Sequence, residues 1–259
     1  MQISDYMNRF KTAVVTRDAA GVLTVRMHSR GGPLIWGALP HGELAELFAA
    51  IAADRENRVV VLTGTGDAFT TLPPEPGLGG LARGEYPAEV WDRIIWEGNR
   101  LLNHLLDIEA PMIAAVNGPS TVHSELAVLC DIVLAADTAF FQDAPHFPGG
   151  LVPGDGMQVI WPLLLGPNRG RYFLLTGQKI GAEEAQALGV VGEVLPREQL
   201  LPRAYVLAAE LAARNPVLLR NTRHVLTRPL KRALAHDLHA GLALEAIASL
   251  SAANWSPPK

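Results

Sequence analysis

Cys130 is the only cysteine among 259 residues, so no disulfide can form within the chain, as expected in a reducing compartment. Charge is also scarce, at 19% of residues, and its balance is −4, which leaves no basic footprint for nucleic acid. Long apolar runs are missing. Met112–Val116 and Ile132–Ala136 are broken well short of the ~20 residues of a membrane span. The opening stretch, MQISDYMNRFKTAVV, has no apolar signal-peptide core. The expectation is a cytoplasmic globular protein with neither nucleic acid nor membrane as partner. Several catalytic signatures are absent too. The chain has no GxGxxG, no GK[ST], no GxSxG elbow and no HExxH, so phosphate-loop, serine-hydrolase and metal chemistry are not expected.

Apolar residues, at 49%, are abundant for so little charge, which suits burial of surface between subunits. GVLTVRM (21–27) alternates like a half-buried strand, whereas RVVVLTGTG (58–66) is a continuous apolar strand ending in glycines. Between them, Leu44, Leu47, Phe48 and Ile51 recur at helical spacing after Pro40. The pattern repeats: a helix over about 88–107, a buried strand in APMIAAVNG, a short helix, then DIVLAAD. Strands alternating with helices predict parallel β units in an α/β fold. From about 154 the periodicity predicts helices at 155–165, 168–176 and 182–188, and a short strand near Val190–Val194. Longer helices follow at about 197–214 and 230–251, and ANWSPPK reads as a frayed tail. LHAGLALEAIASL is apolar nearly all round and is expected to be buried, including against a neighbouring subunit.

Four places could carry chemistry. TGTGDAF (63–69) could expose backbone N–H groups to an anion or simply be a tight strand exit. In AVNGPSTVHSEL, His123 falls near a helix N-terminus, where the dipole favours a neutral imidazole able to donate to a carbonyl. Trp36 and His41, in LIWGALPHGEL, stand at another helix start. Glu245 has no lysine or arginine three or four residues away and so lacks the usual helical ion pair. Most unusual is DAPHFPGGLVPGDG, whose Pro-Gly turns could fold His146 and Asp155, nine residues apart, into contact. A carboxylate on one imidazole nitrogen makes the other a better base for water. Each place also has an ordinary reading as packing, capping or loop structure.

The order VVVLTGTGDAF, PMIAAVNG…SEL, DIVLAADTAFFQ, GGLVPGDG and YFLLTGQKIGAEEAQALGVVGEV resembles the crotonase (enoyl-CoA hydratase/isomerase) superfamily over almost the whole chain. The resemblance implies an α/β spiral of ββα units over residues 1–196 and a C-terminal helical trimerisation region over 197–259. It further implies a homotrimer or homohexamer, and an oxyanion held by backbone N–H groups after TGTGDAF and after NG. Two departures stand out. Where the family turn resembles NGxAxGGGxEL, this chain has NGPSTVHSEL, with Val122 and His123 in place of the glycines. Where hydratases resemble PExxxGxxPGxG, His146 takes the glutamate position and Asp155 falls inside PGxG.

That pattern is similar to β-diketone hydrolases of the 6-oxocamphor hydrolase type, matched here at Trp36, His41, His123, His146, Asp155 and Glu245. The segment TTLPPEPGLGGLARGEYPAEV (70–90), where such enzymes line the pocket, diverges. The resemblance implies retro-Claisen hydrolysis of a cyclic β-diketone to a keto acid, with no coenzyme A, nucleotide or metal. His146 oriented by Asp155 would activate water. His123 with Trp36 or His41 would hold the substrate and the developing enolate, with Glu245 in support. Alternatives are an acyl-CoA-processing crotonase and a catalytically silent scaffold.

Overall fold

The β-branched runs lie side by side in one sheet. The computed structural model describes residues 1–73 and 86–252. The strands are β1 (Ala13–Arg17), β2 (Val22–Met27), β3 (Val59–Gly64), β4 (Met112–Val116), β5 (Ile132–Ala136), β6 (Phe140–Phe141), β7 (Ile180–Gly181) and β8 (Glu193–Leu195). Six of them form a sheet in the order β1-β2-β3-β4-β5-β8; β6 and β7 pair separately. Only β1 and β2 are antiparallel in the large sheet. Parallel neighbours need long crossovers. These are supplied by α1 (Ala38–Ala53) before β3, α2 (Ala88–Asp107) before β4 and α3 (Glu125–Val128), a single turn, before β5. Beyond them come α4 (Met157–Leu165), α5 (Pro167–Thr176), α6 (Ala182–Ala187), α7 (Arg197–Ala212) and α8 (Pro216–Ala252).

β3 and β4 are buried at every position, which is why they read as continuous apolar runs. β2 is buried at all but Arg26 despite its alternating sequence. Helix α7 covers it, and Thr24 finds a polar partner there in the Tyr205 hydroxyl at 3.3 Å.

The closing helix is longer than its sequence predicts. Pro229 marks a start near 230, yet α8 runs 37 residues with Pro229 inside it. An interior proline costs about 3 kcal/mol, and the first half of α8 is anchored independently. Buried Arg223 donates to Asp131 Oδ2 at 2.7 Å, to the Leu106 carbonyl at 3.2 Å and to the Ile108 carbonyl. Further along, Leu238, Leu242 and Ala246 are buried within the chain, whereas Leu244, Ile247 and Leu250 are at least half exposed. The expectation of burial all round therefore holds for one face within this chain. No helix among the described residues is long and apolar enough to cross a membrane.

Candidate active site

DAPHFPGGLVPGDG folds back on itself as its Pro-Gly pairs predict. The Leu151 N–H donates to the His146 carbonyl at 2.9 Å and the Gly154 N–H to the Val152 carbonyl at 2.8 Å. His146 Nε2 thereby comes to 3.3 Å from Asp155 Oδ2. Its other nitrogen, Nδ1, lies 2.5 Å from Asp143 Oδ1. Helix α8 brings the fourth group. A Cβ on Gly154 would stand 2.1 Å from the Gly241 carbonyl, so only glycine lets the helix pass so close to the turn. One turn further along α8, Glu245 reaches the site with Oε1 3.9 Å from His146 Nε2.

His123 enters from the turn after β4. Its φ of +47° is left-handed, a conformation that favours glycine. The chain thus keeps glycine-like backbone where the family turn has glycines and hangs an imidazole from it. His123 Nδ1 lies 2.6 Å from Glu125 Oε1 and 3.4 Å from Asp155 Oδ2. The Trp36 ring stacks on it, with centroids 3.9 Å apart at 34°. His41, in the first turns of α1, has its centroid 6.0 Å from both rings. Its Nδ1 meets Glu97 Oε2 at 2.9 Å, and the other oxygen of Glu97 accepts from Arg93 Nε at 2.7 Å. Asp155 therefore stands between two imidazoles, and each of the three imidazoles has Nδ1 on a carboxylate of its own.

This geometry sets the charges. Burial works against protonation of His146, but Asp155 and Asp143 more than offset it and raise the imidazole well above its ordinary range. Burial opposes protonation of His123 too, yet Glu125 and Asp155 raise it. His41 goes the other way, because burial outweighs the single carboxylate of Glu97. Burial would raise Asp155, but the two neighbouring imidazoles and the Met157 N–H at the start of α4 hold it far below the usual carboxylate range. Desolvation pushes Glu125 up, and pushes Glu245 up to about 8.

Two expectations change. His123 is shifted toward protonation, not away from it: α3 is a single turn, and the Glu125 and Asp155 carboxylates more than offset burial. The His146–Asp155 contact exists, but Asp155 does not orient His146 from behind. Asp143 does that, while Asp155 occupies the nitrogen that would have faced water. With a carboxylate facing each nitrogen, the protonated ring is favoured, and a protonated imidazole has no lone pair to offer.

At the TGTGDAF turn, several backbone donors are engaged within the fold. Gly64 N–H donates to Asn117 Oδ1 at 3.0 Å. The N–H groups of Phe69 and Thr70 donate to the Pro119 carbonyl and that of Thr71 to the Leu34 carbonyl, at 2.8–3.3 Å. These three backbone donors are taken up by the fold. His123, Glu125 and Asp155 also bring ligand-type atoms within 4.8 Å of one another. His123 Nδ1 there faces Glu125 and Asp155, and the proton these two carboxylates favour on it takes the lone pair a cation would need.

Sequence spacing did not point to Glu97, Glu125 or Asp143. Asp143 was the most legible, three residues before His146 in the same loop, whereas Glu97 reads as half of an ordinary i, i+4 pair with Arg93. Of the divergent stretch 70–90, residues 74–85 lie outside the described residues, as does the tail ANWSPPK.

Residues 19–248 match the sequence profile of the enoyl-CoA hydratase/isomerase family. The chain belongs to that family. Its fold is accordingly that of the crotonase superfamily. A β-diketone hydrolase from the cyanobacterium Anabaena, solved with bound (S)-3-oxocyclohexyl acetic acid, superimposes with a TM-score of 0.91 at 44% identity. The match covers 96% of this chain and 98% of the hydrolase. An enoyl-CoA hydratase/isomerase from Mycobacterium paratuberculosis gives a TM-score of 0.85 at 27% identity, covering 94% of this chain and 95% of that one. In sequence, a probable enoyl-CoA hydratase of Mycobacterium bovis is 34% identical over 180 residues. That match covers 65% of this family member and 60% of the relative's own length.

Proposed function

We propose that the chain hydrolyses a carbon–carbon bond of a cyclic, bicyclic β-diketone by a retro-Claisen reaction that releases a keto acid. Asp155 between His123 and His146, at 3.4 and 3.3 Å, is the observation that carries this reading. It holds two imidazoles in one buried pocket and favours their protonated forms, and the carbon leaving group of a diketone departs as an enolate that needs an N–H donor on oxygen. The likeness to the Anabaena β-diketone hydrolase supports it. The acid bound there is a keto acid, and water opening a bicyclic 1,3-diketone would release an acid of that kind.

In this scheme His123, its Nδ1 on Glu125 and the Trp36 ring stacked against it, binds one carbonyl through Nε2 and meets the charge that develops there. Asp155 keeps both imidazoles charged and in place. Glu245, neutral below about pH 8, gives its proton to the enolate. No step calls for coenzyme A, a nucleotide or a metal ion. The exposed Leu244, Ile247 and Leu250 on α8 support contact between copies, as in a homotrimer or homohexamer.

The test is turnover, without coenzyme A, of a panel of bicyclic 1,3-diketones, following diketone loss and keto-acid formation. Turnover supports the reading. No turnover across the panel, with tight binding of acyl-CoA, replaces it by acyl-CoA chemistry.

Glu245 gives a pH prediction. Its folded-state pKa is raised, so the acid form persists up to about 8 and is lost above it. The kcat profile of the wild type should fall above pH about 8. Glu245→Gln should be slower by about 10²-fold and lack that limb, since proton transfer typically contributes 10²–10⁴. An alkaline limb unchanged in Glu245→Gln would assign the proton to another group.

A further inference from the structure

Water must lose a proton as it attacks, and the two imidazoles beside Asp155, each with two carboxylates within 3.4 Å, are held toward their protonated forms. Carboxylates face both nitrogens of His146. Glu125 and Asp155 both face Nδ1 of His123. His41 is different. Its ring is buried, and among the described residues Glu97, at 2.9 Å from Nδ1, is the one carboxylate paired with it. Glu97 has no proton to give. Its second oxygen accepts from Arg93 Nε at 2.7 Å, and although burial would raise it, His41 and Arg93 hold the carboxyl below its ordinary range. The hydrogen-bonded proton must therefore sit on Nδ1, and a neutral imidazole has only one N–H.

We infer that Glu97, braced by Arg93, is a positioning residue that fixes the His41 tautomer with Nδ1 protonated, so that Nε2 is the proton acceptor for the attacking water. A Cβ on Gly98 would stand 3.7 Å from Nε2, and glycine places no side chain beside that nitrogen. Among the described residues, the charged and titratable groups around His41 are Glu97 and, behind it, Arg93 from α2, His123 from the turn after β4 and Asp155 from the turn before α4. Burial keeps the ring neutral at neutral pH. The role of His41 in catalysis rests on the diketone-hydrolase reading; the tautomer does not.

The step balances as follows. One O–H bond of water breaks and its proton goes to His41 Nε2. The released electron pair forms a C–O bond to the carbonyl carbon, and the carbonyl π pair moves onto its oxygen. As that oxyanion collapses, the C–C bond between the carbonyls breaks and its pair becomes the enolate of the second carbonyl, which takes the proton of Glu245. Solvent exchange then returns the His41 proton and recharges Glu245.

The experiment pairs ¹⁵N ring spectra of the wild type with pH–rate profiles of Glu97→Gln. Spectra at neutral pH should show His41 protonated on Nδ1 and bare on Nε2. In Glu97→Gln the imidazole loses the anion that supports its protonated form. The acid limb of kcat/KM should therefore move to lower pH, while kcat falls by about 10–100-fold, the scale known for carboxylates that orient metal-bound imidazoles. The melting temperature does not predict either change. A wild-type His41 protonated on Nε2, or a limb that stays put in Glu97→Gln, overturns the inference. If no diketone is turned over, the proposed reaction fails, and the spectra still decide the tautomer.

Discussion

Asp155→Asn is expected to lower kcat by about 10³-fold, within the range for removing charge-stabilising or proton-transfer machinery, while the chain still folds. The size of the effect follows from position. Asp155 is the shared counter-ion of His123 and His146, so one substitution disturbs two imidazoles at once. Asparagine keeps the shape and can still accept from the Met157 N–H, but it no longer draws a proton onto either ring. Each imidazole retains one carboxylate, Glu125 for His123 and Asp143 for His146, so neither is stranded in the interior. The pKa of Asp155 is depressed in the fold. Its contribution to stability is thus present above the unfolded carboxylate value of about 3.9 and is lost as pH falls through the folded value. Unfolding curves of wild type and variant should therefore differ at neutral pH and converge in acid. A variant with near-wild-type kcat would remove Asp155 from the machinery.

His123→Asn should cost about 10²–10³ in kcat, the usual worth of one oxyanion donor. Asparagine is the informative replacement because it tolerates the left-handed backbone found at φ +47°. Alanine there would keep a left-handed cost of roughly 1–2 kcal/mol without the polar contacts that hold the turn, and would blur loss of function with loss of fold. The predicted signature is a raised KM together with the lower kcat, because His123 both binds the carbonyl and meets developing charge. An unchanged KM and kcat would place the imidazole outside the reaction.

The sequence discloses the frame of this site better than its electrostatics. β3 and β4 announce themselves as unbroken apolar runs because both faces are covered. The Pro-Gly pairs in DAPHFPGGLVPGDG announce the turn that returns Asp155 to His146. Glu97, Glu125 and Asp143 are harder to see, since their roles come from burial and from which nitrogen they meet, and neither has a one-dimensional signature. Glu97 in particular lies 56 residues from the histidine it holds. The start of α8 was hidden for the opposite reason. Pro229 is a strong local signal, and a tertiary anchor at Arg223 overrides it.

One measurement bears most directly on the account: hydrolysis of a bicyclic 1,3-diketone in H₂¹⁸O, without coenzyme A, with mass analysis of the acid formed. The account predicts a keto acid carrying one heavy oxygen in its carboxyl group, formed at a rate that collapses in Asp155→Asn. An intact diketone, alongside ready hydration of an enoyl-CoA by the same preparation, would contradict it.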